Sequence, residues 1–347
     1  MASSEEDGTA AAAADQLGSM SLGQSVERKD DETESNEAPT KLCSACGEKS
    51  DALMKCRACK CVWYCDKDCQ NKHWKEHKKE CKPIKEVLDK RGGKLDLGEE
   101  LDVGPLAKVP QREECPICMR VLPIQGPLHT YYTCCGKTIC GSCDFQHGRK
   151  NTERTCPFCR TAVPRSDEEE LAQLHKRVEL KDRNALRLLA FDYRDGRLGL
   201  PMDQAKCIEL LRESADLGCP SAQYQLGCDY DNGEMGLEQN EEEARKYYEK
   251  AAEGGHIESR HNAGCVVYDN GDHVAAMRHW RQSASGGLKT SMGALIECFE
   301  DGFLHHADLA ESLQTFYRAR AEMKSKGRDR YIKHLKMTGA YDVSMDS

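Results

Sequence analysis

Between Cys43 and Cys81 the chain sets out Cys43-x2-Cys46, Cys56-x2-Cys59, Cys65-x3-Cys69 and His77-x3-Cys81. A Cys-x2-Cys pair turns the backbone tightly enough for both thiolates to meet one ion. Four such half-sites therefore supply two closed tetrahedral zinc sites, with no position left open for catalysis. The segment has too few apolar residues to fold by burying a core, so metal binding worth about 10 to 16 kcal/mol per site would supply the folding free energy. Cys69, His73, His77 and Cys81 recur every four residues and share one stripe of a helix that begins near Asp66. His73 rivals His77 as a ligand on that stripe. Cys61 is left over, read as a semi-buried free thiol with the alternative of substituting for Cys59.

The run CSACGEKS followed by MKCRACKCVWYCDKDCQNKHWKEHKKEC, within residues 43 to 81, resembles a MYND-type zinc finger along nearly its whole length. The resemblance implies interleaved half-sites. Cys43, Cys46, Cys65 and Cys69 would hold one zinc, and Cys56, Cys59, His77 and Cys81 the other, which favours His77 over His73. It also implies that Gln70 and Trp74, one helical turn apart, form an edge that grips short proline-containing peptides. A proline ring stacks on an indole face while an amide fixes a backbone group. The plainer reading packs Trp74 over the zinc knuckles beside Trp63.

Of the 21 cysteines, all but Cys207, Cys219, Cys228, Cys265 and Cys298 fall in two blocks, 43–81 and 115–159. The start, MASSEEDGTAAAAADQLG, has neither the basic residues nor the apolar run of a secretory signal, and no later run approaches a membrane span. An intracellular setting, cytoplasmic or nuclear, is expected, with the thiols as metal ligands rather than disulfides. Residues 1–40 carry ten acidic residues against Arg28 and Lys29, a balance of −8 beside −9 for the whole chain, and read as a disordered acidic tail. Residues 41–82 hold eleven Lys or Arg and six Asp or Glu. Two zinc ions and seven thiolates would reduce that apparent +5 to about +2, which argues against a nucleic-acid footprint and for a solvated lysine face. Residues 83–112, with Gly92-Gly93, Pro105 and Pro110, read as a spacer beyond a short helix to about Lys90.

A second cysteine block begins CPICMRVLPIQG at Cys115 and ends TCPFC at Cys159. Knuckles Cys115-x2-Cys118 and Cys156-x2-Cys159 bracket Cys134-Cys135 and Cys140-x2-Cys143. This resembles a RING domain in an all-cysteine variant. The family's cross-brace would place Cys115, Cys118, Cys140 and Cys143 on one zinc and Cys134, Cys135, Cys156 and Cys159 on another. Lys137 stands where a ligating histidine is common, so the adjacent pair must both ligate, helped by the freedom of Gly136, unless His129 or His147 completes the site. Ile117, Pro157 and Arg160 match positions with which RING domains dock a ubiquitin-conjugating enzyme and restrain its ubiquitin. The segment 144–155 lacks the tryptophan that commonly lines that groove. The plainer reading has Ile117 and Pro157 shaping the knuckles and Arg160 as a solvated charge.

From residue 183 the sequence repeats itself. Ala185 and Ala222, Gly196 and Gly233, and Ala215 and Ala252 are each 37 residues apart, the period of a helix-pair solenoid. The pattern AxxxLGxxY with a KAAxxG end resembles the Sel-1-like repeat, best at 222–256, with a shortened third unit and a degenerate fourth at 289–325. Ala185, Ala222 and Ala252 are expected where helices cross, with Leu189, Leu226, Tyr193 and Tyr230 between pairs. Gly218, Gly254, Gly255 and Gly286 are expected as left-handed caps. The scattered cysteines read as small buried apolar residues.

The expected organisation is multidomain. A disordered acidic tail (1–40), a MYND-type finger (41–82), a linker (83–112) and a RING-type finger (113–165) precede an all-α helix-pair solenoid (166–330) and a C-terminal tail (331–347). About four zinc ions are expected, and zinc modules that fold independently of the repeats, whose units contact only their neighbours. No phosphate loop, nucleophile elbow, catalytic metal motif or methyltransferase domain accompanies the finger. The leading function is an intracellular zinc-binding adaptor that gathers proteins or peptides. The alternative is a RING-type ubiquitin ligase whose other modules recruit substrate. A nucleic-acid-associated regulator ranks third.

Overall fold

In the first cysteine block β1 (Met54–Lys55) pairs antiparallel with β2 (Trp63–Tyr64), and the long helix α1 (Lys67–Lys90) follows. The Asp66 side chain caps α1 by accepting from the Cys69 amide at 2.7 Å. His73, His77, Cys81, Ile84, Val87 and Leu88 are its buried residues, a single stripe that starts in the metal-ligand region and ends as ordinary core. The computed structural model describes residues 42–50, 52–107, 112–124, 128–151 and 153–341. The tail expected to be disordered, 1–40, lies outside them, as do residues 342–347.

The second block builds two small antiparallel hairpins, β3 (Glu114–Cys115) with β4 (Arg120–Val121) and β5 (His129–Tyr132) with β6 (Lys137–Cys140), and then α2 (Gly141–Lys150). The rest is helical: α3 (Asp167–Glu179), α4 (Arg183–Asp195), α5 (Gln204–Asp216), α6 (Pro220–Asn232), α7 (Glu241–Glu253), α8 (Ile257–Asp269), α9 (His273–Ser285), α10 (Lys289–Glu300), α11 (His306–Met323) and α12 (Lys326–Met337). Helices α4 to α9 pack as successive pairs, each against the next. Ala185, Ala222 and Ala252 are buried at the crossings and Leu189 and Leu226 fill the layer between, while Tyr193 and Tyr230 are half-buried. Of the scattered cysteines, Cys207, Cys219 and Cys298 are buried and Cys228 and Cys265 half-buried.

The glycines divide their work in a way the sequence did not show. Gly218 and Gly255 take positive φ (75° and 87°) as expected, but Gly254 (φ −73°) and Gly286 (φ −81°) do not. In each Gly-Gly step the second residue, Gly255 or Gly287, makes the left-handed turn. The first is glycine because the start of the first helix in its own pair leaves no room: a Cβ on Gly254 would meet Pro220 Cγ at 2.7 Å, and one on Gly286 would meet Ile257 Cδ1 at 2.3 Å.

Two boundaries change. Residues 83–90 continue α1, and 91–107 are not a free spacer but a strap laid on the repeats. The Leu101 amide donates to Phe303 O at 2.8 Å, Arg278 Nε donates to Val103 O at 3.0 Å, and Val103 is 1% exposed within the core. The expected C-terminal tail from 331 is helical to Met337, because α12 packs on α2, with Tyr331 and His334 against Phe145. The described residues belong to one compact unit beginning at Lys41.

Candidate metal centres

Four of the Cys-x2-Cys steps share one backbone device. The residue after the second cysteine, Gly47, Lys60, Met119 or Arg160, has positive φ (79°, 59°, 52° and 61°). Its amide returns to the carbonyl of the first cysteine, at 2.8 Å from Gly47 to Cys43, 3.0 Å from Lys60 to Cys56, 2.8 Å from Met119 to Cys115 and 3.1 Å from Arg160 to Cys156. The turn points both thiols the same way. Three of the four positions are not glycine, and the left-handed region costs such a residue roughly 1–2 kcal/mol. That cost is met by what the turn assembles.

Together with ligands from α1 and the residues leading into it, from the β5–β6 hairpin and from α2, these turns bring sixteen side chains into four sets: Cys43, Cys46, Cys65 and Cys69; Cys56, Cys59, His77 and Cys81; Cys115, Cys118, Cys140 and Cys143; Cys134, Cys135, Cys156 and Cys159. Within each set the ligand atoms lie inside 4.8 Å of one another. A tetrahedron with Zn–S bonds of about 2.3 Å has S···S edges of about 3.8 Å. The measured edges are 3.6 Å for Cys46–Cys65, 3.9 Å for Cys56–Cys81, 3.8 Å for Cys118–Cys140 and 3.7 Å for Cys135–Cys156. These are far beyond a disulfide of about 2.05 Å. The donor sets, three all-sulfur and one with a single imidazole, fit four structural zinc ions.

The side chains left open by the sequence have separate places. His77 Nε2 faces the second set, 3.4 Å from Cys59 Sγ, whereas His73 Nδ1 hydrogen-bonds with the Tyr64 hydroxyl at 3.1 Å. Burial pushes the His73 pKa down to about 4, aided by neighbouring His77. Cys61 is fully buried rather than half-buried and lies outside the four sets. Its amide donates to Cys59 Sγ at 3.5 Å and its thiol to Cys59 O at 3.2 Å. In the second module Cys134 and Cys135 both enter one set, with Gly136 at φ 71° bending the chain after them. His147 Nε2 donates instead to Thr155 O at 2.7 Å, and His129 pairs with Cys140 in the β5–β6 ladder.

The expected partner-binding side chains lie apart from the metal sets. Trp74 is 42% exposed on α1, its ring edge-on to His77 at 6.1 Å, with half-buried Gln70 one turn before it. Ile117 is 44% exposed, Arg160 exposed and Pro157 half-buried.

What sequence reasoning missed is the surroundings of the metal sets. His306 Nε2 donates to Cys59 O at 2.9 Å, and Gln314 Nε2 donates to Cys61 O at 3.1 Å. The Tyr317 hydroxyl lies 3.2 Å from His77 Nδ1, and Arg328 Nη2 lies 3.8 Å from Cys118 Sγ. On the other side of the second module Tyr131 donates to Asp182 at 2.8 Å, and Asp182 also binds Arg177 and caps α4. None of these partners has a local sequence signal, since each is brought in from a distant helix.

The fold and the four sets define a zinc-binding helical-repeat protein built from protein-interaction modules. Residues 43–81 match the MYND finger family model, and residues 184–219 and 220–256 each match the Sel1 repeat model. The chain thus contains a MYND finger and two Sel1 repeats, and its second module has the paired sets of a RING-like module. "SET domain and MYND-type zinc finger protein 6" of Schizosaccharomyces pombe is 44% identical over 45 residues, 13% of this chain and 9% of that protein. "Histone-lysine N-methyltransferase ASHR1" of Arabidopsis thaliana is 43% identical over 49 residues, 14% of this chain and 10% of that one. The chain therefore spans about a tenth of these relatives. A solved Sel1 repeat protein from Oxalobacter formigenes is 28% identical, with 37% of this chain and 98% of that one covered and a TM-score of 0.35.

Proposed function

We propose that this protein is an intracellular adaptor, cytoplasmic or nuclear, in which sixteen ligands, the members of the four sets, hold four zinc ions and the MYND finger captures proline-containing peptides at Gln70 and Trp74. Among the described helices none is long and apolar enough to cross a membrane. The observation that carries the reading is Trp74, an indole left 42% exposed at the margin of the buried stripe of α1. An exposed aromatic beside an amide suits a proline ring and a backbone group. Trp74→Ala tests it. Peptide capture should be lost with four zinc ions and the helical signal retained. Zinc loss together with capture would mark Trp74 as part of the finger's packing and sink the assignment.

A second reading, a RING-type ubiquitin ligase, is favoured by the exposure of Ile117 on the first knuckle and Arg160 after the last. Under it the intact chain discharges ubiquitin from a conjugating enzyme, Ile117→Ala weakens docking, and Arg160→Ala weakens discharge more than docking. A broad enzyme panel with no discharge above background rejects it.

A further inference from the structure

The second metal set of the MYND finger is buried against α11. His77 presents Nε2 to the thiols, 3.4 Å from Cys59 Sγ, so its Nδ1 carries the ring proton. That nitrogen points at the Tyr317 oxygen 3.2 Å away, and the Tyr317 hydroxyl donates in turn to Glu80 Oε2 at 2.7 Å. Tyr317 is 5% exposed. Glu80 lies one residue before Cys81 on α1, whereas Tyr317 comes from the other end of the chain. A metal-bound histidine is commonly held in one tautomer and ring orientation by a partner on its other nitrogen, and that partner tunes its basicity.

We propose that Tyr317, itself oriented by Glu80, is the positioning residue for His77, so that α11 completes a zinc site of the MYND finger. The inference rests on the reading of His77 as a ligand. A plain structural role, a buried hydroxyl that simply finds an acceptor, would leave the metal indifferent to its removal. A positioning role makes one ion of four depend on it.

The test uses the full chain with Tyr317→Phe, which keeps the ring and removes the hydroxyl. Zinc transfer to a competing chelator is followed ion by ion, and cobalt(II) substitution reads the single three-sulfur, one-nitrogen site separately from the all-sulfur sites. Tyr317→Phe should still bind four ions but bind one of them roughly ten- to hundredfold more weakly. The shift should fall in the nitrogen-containing cobalt spectrum. Glu80→Gln should weaken the same ion by a smaller factor. Lys324→Ala, which removes the separate ion pair to Glu76 of α1, should leave it within about twofold. Unchanged release, or weakening shared by all four ions, overturns the inference. If His77 is not a ligand, the wild-type cobalt spectrum itself lacks the three-sulfur, one-nitrogen signature, which separates failure of the ligand reading from failure of the positioning role.

Discussion

His306 at the start of α11 donates from Nε2 to the backbone oxygen of Cys59, 2.9 Å across a separation of 247 residues. It is 4% exposed, and burial lowers its pKa. The knuckle of a zinc finger is thus hydrogen-bonded into the last helix pair of the repeats. The finger, expected to fold independently of the repeats, shares a buried interface with them in this structure. Cys59→Ser should speed hydrogen exchange in α11 and around Phe303 as well as in the finger, while α4 to α7 keep wild-type protection. Protection lost only within residues 43–90 would show that the interface carries no coupling.

Arg328 is 5% exposed. Its guanidinium donates to Met323 O at 2.7 Å and faces Cys118 Sγ at 3.8 Å. Zinc with four thiolates carries a formal charge of −2, which a buried cation offsets. Arg328→Met should therefore release one zinc from the second module at least tenfold faster and loosen α12 from α2, as read by chelator kinetics and limited proteolysis after residue 324.

The two glycines of Gly286-Gly287 should fail for different reasons. Gly286→Ala introduces a Cβ against Ile257 Cδ1 and should cost roughly 1–3 kcal/mol, partly recovered by Ile257→Val, which removes the clashing carbon. Gly287→Ala forces a left-handed residue at φ 97°, costs roughly 1–2 kcal/mol, and is not rescued by Ile257→Val. Urea midpoints of the double-mutant cycle distinguish the two.

His256 stacks on Tyr224 at 4.6 Å, with Glu258 3.6 Å from its Nε2. Burial, then Arg187 and Arg112, holds its pKa down to about 4 from 6.5. A base depressed in the fold stabilises the native state above its unfolded value and loses that contribution as pH falls from 6.5 towards 4, by about 3 kcal/mol at most. Glu258 works in the opposite sense. Burial raises it to about 7, so its contribution is present below about 4.5 and lost as pH rises through 7. Between pH 7.5 and 5.5 with zinc saturating, His256→Gln should flatten the loss of thermal midpoint on acidification and Glu258→Gln should steepen it, read by far-ultraviolet circular dichroism.

Arg281 of α9, 1% exposed, donates to Glu311 at 2.6 Å and to Gly104 O at 2.6 Å, and pairs with Asp308 at 2.9 Å. It fastens the strap at 91–107 to α11. Arg281→Met should cost roughly 3 kcal/mol, since it strands two partly buried carboxylates and a carbonyl, and should expose the strap to protease near Gly104. Cleavage no faster than in wild type would show that Val103 and Leu101 hold it alone.

What the sequence determined by itself was local or periodic. A cysteine separated from another by two intervening residues can share its ion whatever lies around it, and a 37-residue period names the helix pairs and their small crossing residues. The structure brings together the same four sets that the two family patterns imply. Tertiary structure alone decided what stands behind them. Tyr317 at His77, His306 at Cys59, Arg328 at Cys118 and Arg281 at Gly104 are joined across 175 residues or more, where no spacing rule applies. It also decided which glycine of the steps at 254–255 and 286–287 turns the chain, because that depends on how closely the first helix of the same pair packs against the step rather than on the dipeptide. The physical reason is common to both. Half-site geometry is set by the local backbone of a few residues, whereas orientation and burial of the ligands are set by surfaces that meet only in the tertiary fold.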